Sequence, residues 1–73
     1  MKLPVVNGKE AVAALRRGGF VLDHVRGSHH YLRGPGGSTA TVPVHGTETL
    51  KPGTLRSILR QAGMSVDEFV ALL

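Results

Sequence analysis

Gly27-Ser28-His29-His30-Tyr31 places two adjacent histidines directly after a Gly-Ser turn, in a chain with no cysteine and an excess of positive charge. Histidine is the side chain whose unperturbed pKa, about 6.5, lets it take and give a proton near neutrality. A small basic protein attracts polyanions, and RNA brings its own nucleophile, the ribose 2′-hydroxyl. Cleavage through that hydroxyl requires neither a metal nor a covalent intermediate, only a proton acceptor and positive charge to hold the phosphate. Side chains alternate along a strand, so His29 and His30 point to opposite faces and at most one serves a given site. His30 is expected to be structural or partly buried. His24, at strand spacing from Phe20 and Leu22, is expected to pack as a strand residue. His45, just beyond Pro43, is a loop histidine or a second acid for the leaving oxygen.

The elements that must position these side chains can be read from spacing. Asn7 followed by Glu10 has the spacing of a capping box. Ala11, Val12, Ala14 and Leu15 then form a thin apolar stripe, with Lys9, Arg16 and Arg17 pointing outward, and Gly18-Gly19 stops the helix. Residues 20–25 read as a strand with Phe20, Leu22 and His24 on one face. Arg26-Gly27-Ser28 is the turn into a second strand, 29–33, and Gly34-Pro35-Gly36-Gly37 is a loop. Residues 38–44 make a third strand, with Thr39 and Thr41 alternating against Ala40 and Val42. Pro43 has no amide proton and belongs at that strand's end or on an edge.

After a polar connection over 45–51, Pro52 stands where a first helical residue should. Leu55, Ile58, Leu59 and Ala62 supply a core-facing stripe, and Gly63 ends the helix. Ser65 and Glu68 form a second capping box, followed by Val66, Phe69, Val70 and Leu73 on a final amphipathic turn or two. The predicted class is α+β, in the order α-β-β-β-α, with a three-stranded antiparallel sheet covered on one face by helices and a short C-terminal helix. That order is shared with double-stranded RNA-binding domains, which read RNA shape through 2′-hydroxyls and phosphates.

Seventy-three residues, 41% of them hydrophobic, suffice for one domain spanning 1–73 with one thin core. The lack of cysteine removes disulfides and thiolate metal sites and fits a reducing compartment. The N-terminus is too short and broken for a signal peptide, and no apolar run approaches the roughly 20 residues of a membrane helix, so a cytoplasmic protein without membrane contact is expected. Nine Lys and Arg against five Asp and Glu give a net charge of +4, which favours nucleic acid or an acidic protein as partner. Lys51 and Thr54 stand at a predicted helix N-terminus, a natural phosphate site, and Arg56 lies about a turn further on. Arg60 fits a solvated helix face. The loop at 34–38 has no basic residue, and aromatic content of 4% argues against extended base stacking, so weak sequence preference is expected.

Gly27-Ser28-His29-His30, Thr41-Val42-Pro43-Val44-His45 and the long block from Lys51 to Gly63 together resemble the HicA family of toxins. These are small mRNA interferases with a fold like the double-stranded RNA-binding domain. The resemblance implies a metal-independent endoribonuclease with no cofactor, silenced by a HicB-family antitoxin encoded beside it. The family's catalytic histidine follows Gly-Ser and maps onto His29; no other catalytic residue carries over with it. As a neutral imidazole, His29 would take the proton of a 2′-hydroxyl. The oxyanion would then attack phosphorus in line and leave a 2′,3′-cyclic phosphate. Ser28, Lys51, Thr54 and Arg56 are the expected RNA contacts. An acidic antitoxin that covers His29 is the expected inhibitor, its association speeded by opposite charge. Arg16 and Arg17 would face either RNA or antitoxin.

Three alternatives remain at this level. A non-catalytic RNA-binding module of the same fold would survive His29→Ala unchanged. A metal site from His24, His29, His30 and His45 would lose activity to a chelator, although adjacent histidines on opposite strand faces make poor co-ligands. A protein-binding domain would leave cellular RNA intact.

Overall fold

Local chemistry sets the helix ends. In the computed structural model, which describes residues 2–73, the first helix, α1, runs Gly8–Arg17. The Asn7 side chain accepts from the Glu10 amide at 2.8 Å, and the Glu10 carboxylate accepts from the Asn7 amide at 2.9 Å. Three strands follow, β1 (Val21–Arg26), β2 (His29–Arg33) and β3 (Thr39–Pro43), with one 3-10 turn at Pro35–Gly37. The second long helix, α2 (Pro52–Ala62), starts with proline in its first turn and ends at Gly63, whose φ of 66° is the left-handed cap conformation. The last helix, α3 (Val66–Ala71), carries the second capping box: Ser65 Oγ accepts from the Glu68 amide at 3.0 Å, and Glu68 accepts from the Ser65 amide at 2.9 Å.

The Ser65 amide, and then its hydroxyl, hold the Glu68 carboxyl below the usual carboxylate range. A depressed folded-state value stabilises the protein above the unfolded-chain value, and that stabilisation is lost as pH falls through the folded value. Glu68→Gln keeps the capping geometry without the charge. Its melting temperature, followed by circular dichroism, is therefore expected to fall less on acidification than that of the wild type.

The sheet is antiparallel throughout, in the order β1-β2-β3. Leu32, Ala40 and Val42 are buried on one face, in a single core with Ala11, Ala14 and Leu15 of α1, Leu55, Ile58 and Leu59 of α2, and Phe69 of α3. Among the described residues no helix covers the other face, so its side chains, among them His29 and Arg33, reach the surface. Gly8, the first residue of α1, lies so close to the Pro43 carbonyl that a Cβ there would collide with it. This contact seats α1 on the end of β3.

Three elements depart from the sequence expectation. Phe20 is buried before β1 rather than within it, its amide donating to the Leu15 carbonyl at 3.0 Å. β1 contains an irregularity between Leu22 and His24: Leu22 pairs with Leu32, yet His24 pairs with Tyr31. One extra residue reverses the side-chain alternation beyond it, so Leu22 and His24 lie on opposite faces rather than sharing one. At the C-terminus, Leu72 packs against the core while Leu73 is 46% exposed.

Two contacts had no sequence counterpart. The connection before α2 is clasped by the N-terminal segment: the Leu50 amide donates to the Val6 carbonyl at 2.9 Å, and Asn7 bridges Thr49. On the outer edge of β3, the Thr41 amide donates to Gln61 Oε1 at 2.9 Å, so a side chain from α2 satisfies an edge group that would otherwise be open to pairing.

Candidate active site

A two-residue turn fixes the position of His29. Gly27 has φ of 59°, and among the described residues only glycines have positive φ, the pattern of a hairpin turn with glycine at the first central position. Arg26 therefore pairs with His29 directly across the hairpin, and Pro43 of β3 pairs with His29 on its other side. Directly opposed residues share a face, with Cβ atoms roughly 4.5–5.5 Å apart. His29 is exposed, on the face without helices, beside the Arg26 side chain. By sequence Arg26 belongs to the turn and is absent from the expected site. The signal was present all the same, since a loop of only two residues forces its flanking residues to pair.

Beyond Pro43 lies a cleft of about 220 Å3 lined by His45, Lys51 and Thr54, with Glu48, Thr49 and Leu50. The fold thus gathers three of the predicted residues in one place, next to the strand position that pairs with His29. Arg56 is not among them; it lines a separate groove with Lys2, Pro4 and Val5 of the N-terminal segment. Ser28 is half-buried in the turn, and its carbonyl accepts from the Val44 amide at 2.7 Å, tying the β2 end of the hairpin to β3.

The other histidines separate cleanly. His30 pairs with Val25 and Val42 and faces α1, as its alternation with His29 requires. It lines a groove of about 410 Å3 with Val12, Ala13, Arg16 and Val44, and its Nδ1 is buried without a hydrogen-bond partner. His24 is not packed as expected: its side chain is 49% exposed. The irregularity in β1 turns it onto the open face, where it stacks on Tyr31 at a centroid distance of 4.4 Å. Arg17 Nη1 donates to the Leu72 carbonyl at 2.8 Å and so helps hold the C-terminal residues, whereas Arg16 borders the groove beside His30. Among the described residues, no group of three His, Cys, Asp or Glu side chains is placed to hold a metal ion.

Helix, three-stranded sheet and helices in this order define an α+β protein of the double-stranded RNA-binding-domain type, here with an exposed histidine and arginine at the tip of its first hairpin. A sequence model described as the HicA toxin of bacterial toxin-antitoxin systems matches residues 8–64, from the start of α1 to just past α2. The chain belongs to this HicA toxin family. It is accordingly the toxin of a toxin–antitoxin pair, with an antitoxin as partner. No curated protein matches the chain. Among the described residues, no helix is long and apolar enough to cross a membrane.

Proposed function

We propose that residues 1–73 form one toxin domain that acts in the cytoplasm as a metal-independent endoribonuclease on mRNA. The observation that carries this is the exposed His29 imidazole, held at the first position of a strand and directly opposite Arg26. A base at the start of a strand is aimed by a rigid element while staying open to substrate. His29 takes the proton of a ribose 2′-hydroxyl, and the oxyanion attacks the adjacent phosphorus. Arg26 is placed to hold a non-bridging oxygen of that phosphate, where negative charge builds in the transition state. Lys51 and Thr54, at the N-terminal end of α2, hold a neighbouring phosphate of the same strand. Ser28 lines the turn over which the backbone passes, and Arg56 adds charge further from the scissile bond.

The partner is an acidic HicB-type antitoxin that covers the open sheet face and with it His29. The family membership supports this, as does the net charge of +4. Incubation of the purified toxin with RNA in excess chelator is expected to yield fragments ending in 2′,3′-cyclic phosphate and beginning with a 5′-hydroxyl. Addition of the antitoxin from the same operon is expected to protect the RNA. Fragments with a 3′-phosphate formed without a cyclic intermediate would contradict the role of the 2′-hydroxyl. Loss of cleavage in chelator would contradict metal independence.

A further inference from the structure

The irregularity in β1 brings a second histidine to the same face as the first. His24 pairs with Tyr31 and Arg26 pairs with His29, so His24 and His29 are diagonal neighbours across two strands. Such positions are about 7–8 Å apart, within reach of one another through ring-bearing side chains. Both imidazoles flank the Tyr31 ring: His24 stacks on it at 4.4 Å and 7°, and His29 is tilted against it at 6.4 Å and 59°.

His24 is also held in orientation by a neighbouring carboxylate. Its Nδ1 lies 2.8 Å from Asp23 Oδ2, and Arg33 approaches Asp23 Oδ1 at 3.5 Å. An ionised carboxylate only accepts, so Nδ1 carries the proton in this bond and Nε2 is the nitrogen left to gain and lose one. The bond to His24, and then the Arg33 guanidinium, hold the Asp23 carboxyl below the usual carboxylate range, which keeps it ionised. Bulges recur beside active sites, where they re-aim a side chain, and this one re-aims His24 toward solvent on the face of His29.

In-line displacement at phosphorus places the attacking and leaving oxygens on opposite sides of the reacting centre. The base and the acid must then stand apart, as two diagonal strand residues do. We propose that His24 is the general acid of this cleavage and that Asp23 is its positioning residue; the proposal rests on His29 acting as the base. His29 removes the 2′-hydroxyl proton, and the 2′-oxygen forms a bond to phosphorus. The bond from phosphorus to the 5′-oxygen breaks with its electron pair on oxygen, and the Nε2 proton of the His24 imidazolium passes to that oxygen. The products are a 2′,3′-cyclic phosphate and a 5′-hydroxyl. His29 emerges protonated and His24 neutral, and exchange with water restores both.

A substrate whose scissile bridging 5′-oxygen is replaced by sulfur tests this, because a thiolate leaves without protonation. His24→Ala and His24→Phe, the latter keeping a ring against Tyr31, are expected to cut ordinary RNA about 10²–10⁴-fold more slowly than wild type. Both are expected to approach the wild-type rate on the sulfur-bridged RNA. Asp23→Asn is expected to show a smaller loss with the same rescue, since the carboxylate acts only through the imidazole. Wild-type rates on ordinary RNA, or equal slowing on both substrates, would overturn the assignment of the acid and leave the base in place. If the wild-type protein cut neither substrate, the nuclease itself would fall and the acid with it, so the two failures are read from different proteins.

Discussion

Alanine at position 29 is expected to lower RNA cleavage by about 10²–10⁴-fold, the contribution of a positioned general base, while the protein stays folded. Two features separate chemistry from stability at this residue. The side chain is exposed, so its truncation belongs with surface changes that shift stability by roughly half a kcal/mol or less. The strand position itself is secured by backbone pairing to Arg26 and Pro43, which alanine retains. Induction of wild type and His29→Ala without antitoxin, followed by growth curves and mapping of transcript 5′ ends, is the direct comparison. New 5′ ends that appear equally with both proteins would leave a non-catalytic role for this histidine. Circular dichroism on the purified variant confirms that any loss is not unfolding.

Phe69→Ala should produce the largest loss of stability. Phe69 is 0% exposed and is the sole residue of α3 in the buried core among those described. Removing a buried phenylalanine costs about 3–5 kcal/mol, from the lost transfer of the ring and the cavity left behind. Native domains are stable by only about 5–15 kcal/mol, and a chain of this size without disulfides belongs near the lower end. A six-residue helix has no stability of its own in water, so α3 depends on this ring and on its capping box. Urea titration of the variant should show most of the folding free energy gone, and toxicity in cells should disappear with it. Phe69→Leu refills part of the cavity and should lose less. The family match ends at residue 64, so the ring that closes the core lies beyond the segment that identifies the chain.

The helix boundaries were legible because each depends on residues within four positions of one another. Asn7 with Glu10 and Ser65 with Glu68 close their boxes as spaced, Pro52 starts α2, and Gly63 ends it. The buried stripe Leu55, Ile58, Leu59 and Ala62 follows from helical periodicity, and Ala40 and Val42 follow from strand alternation. The opposite orientations of His29 and His30 have the same origin, since one residue along an uninterrupted strand reverses the face. Family resemblance to the HicA toxins supplied the choice of His29 among four histidines, a choice alternation could not make.

The site as a constellation was less legible. Lys51, Thr54 and His45 share a cleft because the connection before α2 folds back against β3, and a clasp from Val6 and Asn7 holds it there. Arg56 is near them in the chain but turns with its helix toward the N-terminal segment. Neither placement is encoded in local spacing.

Sequence alone determined the caps, the apolar stripes, the order of elements and the hairpin that carries His29, because these follow from interactions between near neighbours along the chain. The tertiary structure decided which face His24 occupies and which cations stand near each histidine. A bulge is set by the pairing of a strand with its neighbour, and a single inserted residue reverses every side chain beyond it. Here that reversal moves His24 from the expected apolar face to the side of the sheet that His29 shares.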